Sequence, residues 1–171
     1  MKIYLAGPDV FRPDALAYGE HLKQLCREHG LTGLYPLDTP IAAQLSGKEA
    51  AVAIYRANVA LIQEADVLMA NLDRFRGHEP DSGTAFEVGY AAALGKTVWV
   101  HTCEARSIVH QLTGKPADIA QHYLDGDGYT IENFGFNLNL MLACSATVVI
   151  GDAAECLRRI AATHLSPGAR P

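Results

Sequence analysis

DVLMANLDRFRGHEPDSGTAFEVGYAAALGKTVWVHT, residues 66–102, is the stretch whose reading decides the fold. Its opening, DVLMANL (66–72), is apolar along most of its length and reads as a strand. DSGTAFEVGYAAALG (81–95) reads as a helix that begins at Asp81 or Ser82 and is stopped by Gly95. TVWVHT (97–102) is the next strand. Strands that are apolar throughout, rather than alternating, belong to a parallel sheet covered on both faces, and the intervening helix supplies the crossover.

The rest of the chain repeats this unit. KIYLA (2–6) is a short apolar strand closed by Gly7-Pro8. Residues 13–29 have helical spacing, with Leu16, Leu22, Leu25 and Cys26 recurring at three and four, and Gly30 ends them. Residues 31–37 are a second strand candidate, weakened by Gly33. A helix over 47–64 carries apolar faces from Val52, Ile54, Val59, Leu61 and Ile62. A short helix is expected within 105–112, a last strand at 146–150 and a last helix at 152–164 with Asp152 as its N-cap. Five strands with helical crossovers predict a flavodoxin-like (Rossmann-like) three-layer α/β sandwich with a five-stranded, mainly parallel sheet. Ligands of such sheets bind beyond the carboxyl ends of the strands, near the switch point. The loops of interest are therefore 7–12, 38–46, 73–82 and 103–106. Residues 113–133, polar and glycine-rich, read as a flap or an insertion.

The chain of 171 residues is expected to form a single domain over 1–165, with a frayed tail at 166–171. Its 49% hydrophobic and 19% charged residues are those of a soluble globular protein. A net charge of -5 disfavours a nucleic-acid polymer or a membrane surface as partner, since both need a basic face. Neither a signal peptide nor an apolar run of membrane-spanning length stands out. Cys26, Cys103, Cys144 and Cys156 form no CxxC, which suggests reduced, buried, inert thiols and a cytoplasmic protein. Scattered His and Cys give no metal cluster. GKT at 95–97 follows a helix and precedes a strand, the reverse of a phosphate-binding P-loop. DGDG at 125–128 lacks the calcium-loop Glu, since its twelfth position is Phe136.

Between Ser82 and Leu94 there is one charged side chain, Glu87. A lone carboxylate on an apolar helix is costly to bury without a partner, and one in solvent usually has charged companions. Helical side chains lean toward the N-terminus, so Glu87 leans over Gly83, leaving room for a ligand beside it. Asp81 is a preferred N-cap, but Ser82 can serve as the cap and free Asp81 to face the strand-end crevice. Two carboxyl groups sharing a site can divide the roles of nucleophile and acid, the arrangement that breaks a glycosidic bond through a covalent intermediate.

Four stretches carry a resemblance. They are IYLAGPDVF (3–11), Asn58 eight residues before Asp66, ADVLMANLDRFRGHEPDSGTAFEVGYAAALGK (65–96) and FNLNLML (136–142). Together they resemble the nucleoside 2-deoxyribosyltransferase family. The resemblance implies that Glu87 is the nucleophile attacking C1' of deoxyribose and that Asp81 contacts the base and helps it leave. It also implies that Tyr4 lies beside the nucleophile and that Asn139 reaches it from a neighbouring subunit of a homo-oligomer. Gly7, Pro8 and Phe11 would line the nucleoside pocket, with Asn58 at a substrate-binding position. Asn58 stands where some members have a second base-contacting Asp. Taken singly, Tyr4 reads as core, Asn58 as a solvated position and Asn139 as a backbone cap. The implied partners are 2'-deoxyribonucleosides and free nucleobases, with neither metal nor organic cofactor. The rivals are a hydrolase of nucleoside 5'-monophosphates, for which Arg12 and Arg76 are the available cations, and a non-catalytic nucleotide-sensing module.

Overall fold

The structure, a computed structural model, describes residues 1–164. The tail expected at 166–171 lies outside the described residues. Five parallel strands form one sheet: β1 (Lys2–Ala6), β2 (Thr32–Leu34), β3 (Val67–Asn71), β4 (Thr97–Thr102) and β5 (Thr147–Ile150). Their order is β2-β1-β3-β4-β5. The chain leaves β1 for one edge and returns on the other side through β3, so the switch point lies between β1 and β3.

The continuous apolar runs are explained by what covers each face. Successive side chains point to opposite faces of a strand. Ile3, Leu5, Val67, Met69 and Trp99 face one side, where Leu22 and Cys26 of α1 (Ala15–Glu28) and Cys156, Leu157 and Ile160 of α6 (Ala153–His164) meet them. Tyr4, Ala6, Leu68, Ala70, Val98 and Val100 face the other. There they pack on Ile62 of α2 (Gly47–Glu64) and on Val88 and Ala91 of α3 (Ser82–Ala93). Two short helices, α4 (Ile108–Thr113) and α5 (Leu140–Ser145), complete the fold. None of the described helices is long and apolar enough to cross a membrane.

Several expectations shift. The second strand is confined to Thr32–Leu34, because Pro36 opens a 3₁₀ turn, Pro36–Asp38, and Tyr35 N donates to Asp38 Oδ2 at 2.8 Å. Gly33 allows close packing: a Cβ there would come within 2.9 Å of Leu5 Cδ1. Leu16 fits the spacing of the first helix but is 70% exposed. Asp152 does cap the last helix, accepting from Glu155 N at 2.9 Å. Of the segment 113–133, Thr113 ends α4 and residues 114–133 are irregular, with one isolated bridge among the described residues, Leu124 to Thr130. All four cysteines are unpaired, but only Cys26 and Cys156 are buried; Cys103 and Cys144 are exposed.

Candidate active site

The cleft opens at the switch point, beyond the carboxyl ends of β1 and β3. Its floor is the N-terminal half of α3. The helix begins where Asp81, in an extended conformation, turns its carboxylate onto the otherwise free amide of Thr84. Asp81 Oδ2 accepts from Thr84 N at 2.9 Å and from Thr84 Oγ1 at 3.0 Å. Asp81 is therefore the cap, and the expectation that Ser82 would replace it is corrected. The second bond, from the Thr84 hydroxyl, is available to Asp81 because Thr84 sits at the third helical position. Both bonds fall on one oxygen, and Oδ1 accepts none among the described residues.

Asp81, Gly83, Thr84 and Glu87 line the same cavity of about 290 Å³. Gly83 contributes a bare backbone; a Cβ there would stand 3.0 Å from Asp81 Oδ2. Glu87, one turn on, is held by an element far away in sequence. Tyr4, fully buried in the middle of β1, donates its hydroxyl to Glu87 Oε1 at 2.6 Å. Asn58, on α2, directs Nδ2 to the same oxygen at 3.4 Å. Oε2 accepts no hydrogen bond among the described residues.

Burial pushes the Glu87 carboxyl up to about 7 from an ordinary 4.5. The Tyr4 hydrogen bond opposes that rise, the charge of Asp81 adds to it, and Asn58 opposes it weakly. The Tyr4 phenol is itself pushed well above its usual range by burial and by the neighbouring carboxylate, so it stays a donor. Asn58 Oδ1 is buried without a partner among the described residues, an acceptor left open beside the cavity.

The opposite wall is the turn after β1, Pro8–Phe11. Gly7 lets this turn approach β3 closely: a Cβ there would lie 2.8 Å from Asp9 Oδ2 and 3.0 Å from Asn71 Cβ. Gly7 and Phe11 line the cavity, while Pro8 shapes the turn from its first position. Phe11 is 55% exposed and stacks on Phe75 with ring centroids 5.3 Å apart. The Arg76 guanidinium lies over both rings, and Arg76 itself has a positive φ of 54°.

Of the expected site residues, the fold brings Tyr4, Gly7, Phe11, Asn58, Asp81, Gly83 and Glu87 together. Asn139 does not join them within the chain. It caps α5 through Oδ1, which accepts from Met141 N at 3.0 Å, and Nδ2 donates to Glu132 Oε1 at 2.6 Å. Val10, Pro36, Leu37, Ile54 and Thr84 also line the cavity and were not among the expected site residues. Ile54 lies four residues before Asn58, so helical spacing alone would have put the two on one face. The contact of Asn58 with Glu87, rather than with a base alone, was not readable from sequence. Among the described residues no group of three or more His, Cys, Asp and Glu side chains is arranged to hold a metal.

Comparison with known proteins identifies the family and the fold. The profile of the family described as nucleoside 2-deoxyribosyltransferase matches residues 3–141. The solved 2-desoxiribosyltransferase from Leishmania mexicana is 35% identical, with a TM-score of 0.76 over 95% of this chain and 98% of that one. The 2-deoxyribosyltransferase from Bacillus psychrosaccharolyticus shares the fold at 22% identity, with a TM-score of 0.57 over 91% and 89%. An uncharacterized protein from Schizosaccharomyces pombe is 36% identical over 107 residues, 61% of this chain. The match spans 51% of that relative's length.

Proposed function

This chain belongs to the nucleoside 2-deoxyribosyltransferase family, and we propose that it transfers 2-deoxyribose between nucleobases through a covalent ester on Glu87. The observation that carries this reading is the asymmetry of the Glu87 carboxylate. Oε1 is held by Tyr4 and Asn58, whereas Oε2 has no partner among the described residues, and Glu87 lines a ligand-sized cavity. Oε2 attacks C1' of a 2'-deoxyribonucleoside, the C1'–N bond breaks, and its electron pair leaves with the base. The base takes up a proton, and Asp81, on the same wall, is the group assigned to carry it. A second base then attacks C1' from the face the first one left, giving up its N–H proton to Asp81 and expelling Glu87. Two displacements retain the configuration. Water competes with the second base, so slow hydrolysis accompanies transfer. The scheme calls on neither metal nor organic cofactor, and it suits a cytoplasmic enzyme of nucleoside turnover.

The reading includes a homo-oligomer. Asn139 makes no hydrogen bond to Glu87 within the chain, so a second copy is the source from which it would reach the nucleophile. The half-exposed rings of Tyr55 and Phe86 lie 6.1 Å apart on α2 and α3, the helices that carry Asn58 and Glu87. A 5'-phosphate clamp draws less support. Arg12 is committed to Asp14 at 2.9 and 3.1 Å, and Asp9 stands in the same turn.

The test is to incubate the protein with deoxyadenosine or its 5'-monophosphate, with and without a second free base, and to separate the products. Transfer predicts a new nucleoside whose formation outpaces release of free base. Base released mainly from the monophosphate, regardless of acceptor, would mark a hydrolase. Binding without any release of base would mark a sensing module.

A further inference from the structure

The segment 113–133 has no part in the site just described, yet its penultimate residue holds Asn139. Its hydrogen bonds close it into a compact loop. Asp125 Oδ1 accepts from Asp127 N and Tyr129 N, both at 2.9 Å, and Ile131 N donates to Tyr123 O at 2.9 Å. Asn133 Nδ2 ties the loop's base to Asp118 O and Gln121 O at 2.8 and 3.0 Å. Ile131 is buried and anchors the loop to the domain. The next residue, Glu132, turns both carboxylate oxygens onto the start of α5. Oε1 accepts from Asn139 Nδ2 at 2.6 Å, and Oε2 accepts from Leu140 N at 2.9 Å. The chain between them is pinned as well, since Asn137 Nδ2 donates to Glu104 O at 2.7 Å.

We propose that Glu132 is the positioning residue for Asn139, and that the ordered loop 113–133 serves to deliver it. The inference rests on the reading in which Asn139 serves a neighbouring Glu87. Its physical core is the orientation of one amide. An ionised carboxylate only accepts, so the nitrogen of Asn139 must face Glu132; Met141 N only donates, so the oxygen must face α5. A flipped amide would set donor against donor and acceptor against acceptor. The side chain is thus fixed with one N–H unspent, the group a nucleophilic carboxylate on another copy accepts. Glu132 touches no reacting atom and acts through Asn139 and the start of the helix that carries it.

The experiment measures base exchange for Glu132→Ala, Glu132→Gln, Asn139→Ala and the Glu132→Ala/Asn139→Ala pair, each checked for folding by thermal melting. Removing Glu132 should lower kcat roughly ten- to a hundredfold with little change in KM, the scale of loss when a reacting group drifts by about an ångström. Glu132→Gln should fall between, because its single oxygen can satisfy Asn139 or Leu140 but not both; it also reports the effect if the alanine variant does not fold. In the Asn139→Ala background, removing Glu132 should change kcat less than about twofold. Losses that multiply in the double variant would overturn the inference. So would a Glu132→Ala enzyme with parental kcat while Asn139→Ala is impaired, which would leave the proposed function standing. An unimpaired Asn139→Ala enzyme would remove Asn139 from the site and the inference with it.

Discussion

Replacing Glu87 with Gln should make the protein more stable at neutral and alkaline pH, although it removes the proposed nucleophile. The folded-state carboxyl is pushed up to about 7 from 4.5, because burial outweighs the hydrogen bonds from Tyr4 and Asn58. The folded protein therefore holds this proton more tightly than the unfolded chain. The associated stabilisation is fully present below pH 4.5 and is lost as pH rises to about 7. At about 1.4 kcal/mol per unit, the folded state carries a penalty of ~3 kcal/mol above pH 7. Gln keeps an acceptor for the Tyr4 hydroxyl but never ionises, so it escapes the penalty. For a domain of this size ~3 kcal/mol corresponds to roughly 6–12 °C in Tm. Thermal melts of both proteins from pH 4 to pH 8.5 read the effect. The gap should be near zero at pH 4, open between 4.5 and 7, and stay constant above. A variant less stable than the parent at pH 8, or a gap that ignores pH, would refute the claim that Glu87 is held desolvated.

Three further outcomes follow from the same geometry. Tyr4→Phe removes the largest influence that lowers the Glu87 pKa, so the acid limb of the kcat/KM profile should move to higher pH; an unmoved limb would mean that the 2.6 Å contact does not tune the carboxylate. Asp81→Ala should lose the helix cap, at about 1 kcal/mol by denaturant titration, whereas Asp81→Asn should keep it. Both should lose base exchange, and an Asp81→Asn enzyme with full activity would reduce Asp81 to a structural cap.

Much of the fold was legible because the sheet is covered on both faces. Such strands leave unbroken apolar runs, and 97–102 was bounded as observed, while 66–72 and 146–150 bracketed Val67–Asn71 and Thr147–Ile150. The second strand was overextended because its end is set by Pro36 and a local side-chain bond rather than by hydrophobicity. The six-residue α5 is too short to show a period, though Asn139 taken singly reads as the backbone cap it is. On α2 the pattern identified an apolar stripe but not what covers it. Ile62 is core, Ile54 lines the cleft, and Val52 is 47% exposed.

At the site, Glu87 and Gly83 could be singled out by composition and helical geometry alone. The choice of Asp81 over Ser82 as cap could not, since the two residue types cap almost equally well and the Thr84 hydroxyl decides between them. The pairing of Tyr4 with Glu87 spans 83 positions and depends on how α3 packs on β1. Only the family resemblance anticipated it.

The central claim, a covalent deoxyribosyl ester on Glu87, is tested most directly by mass spectrometry of protein quenched after exposure to a 2'-deoxyribonucleoside without an acceptor base. The account predicts a deoxyribose adduct on the peptide containing Glu87, lost when a free base is added and absent from Glu87→Ala. An adduct that persists in Glu87→Ala, or that maps to another residue, would contradict it.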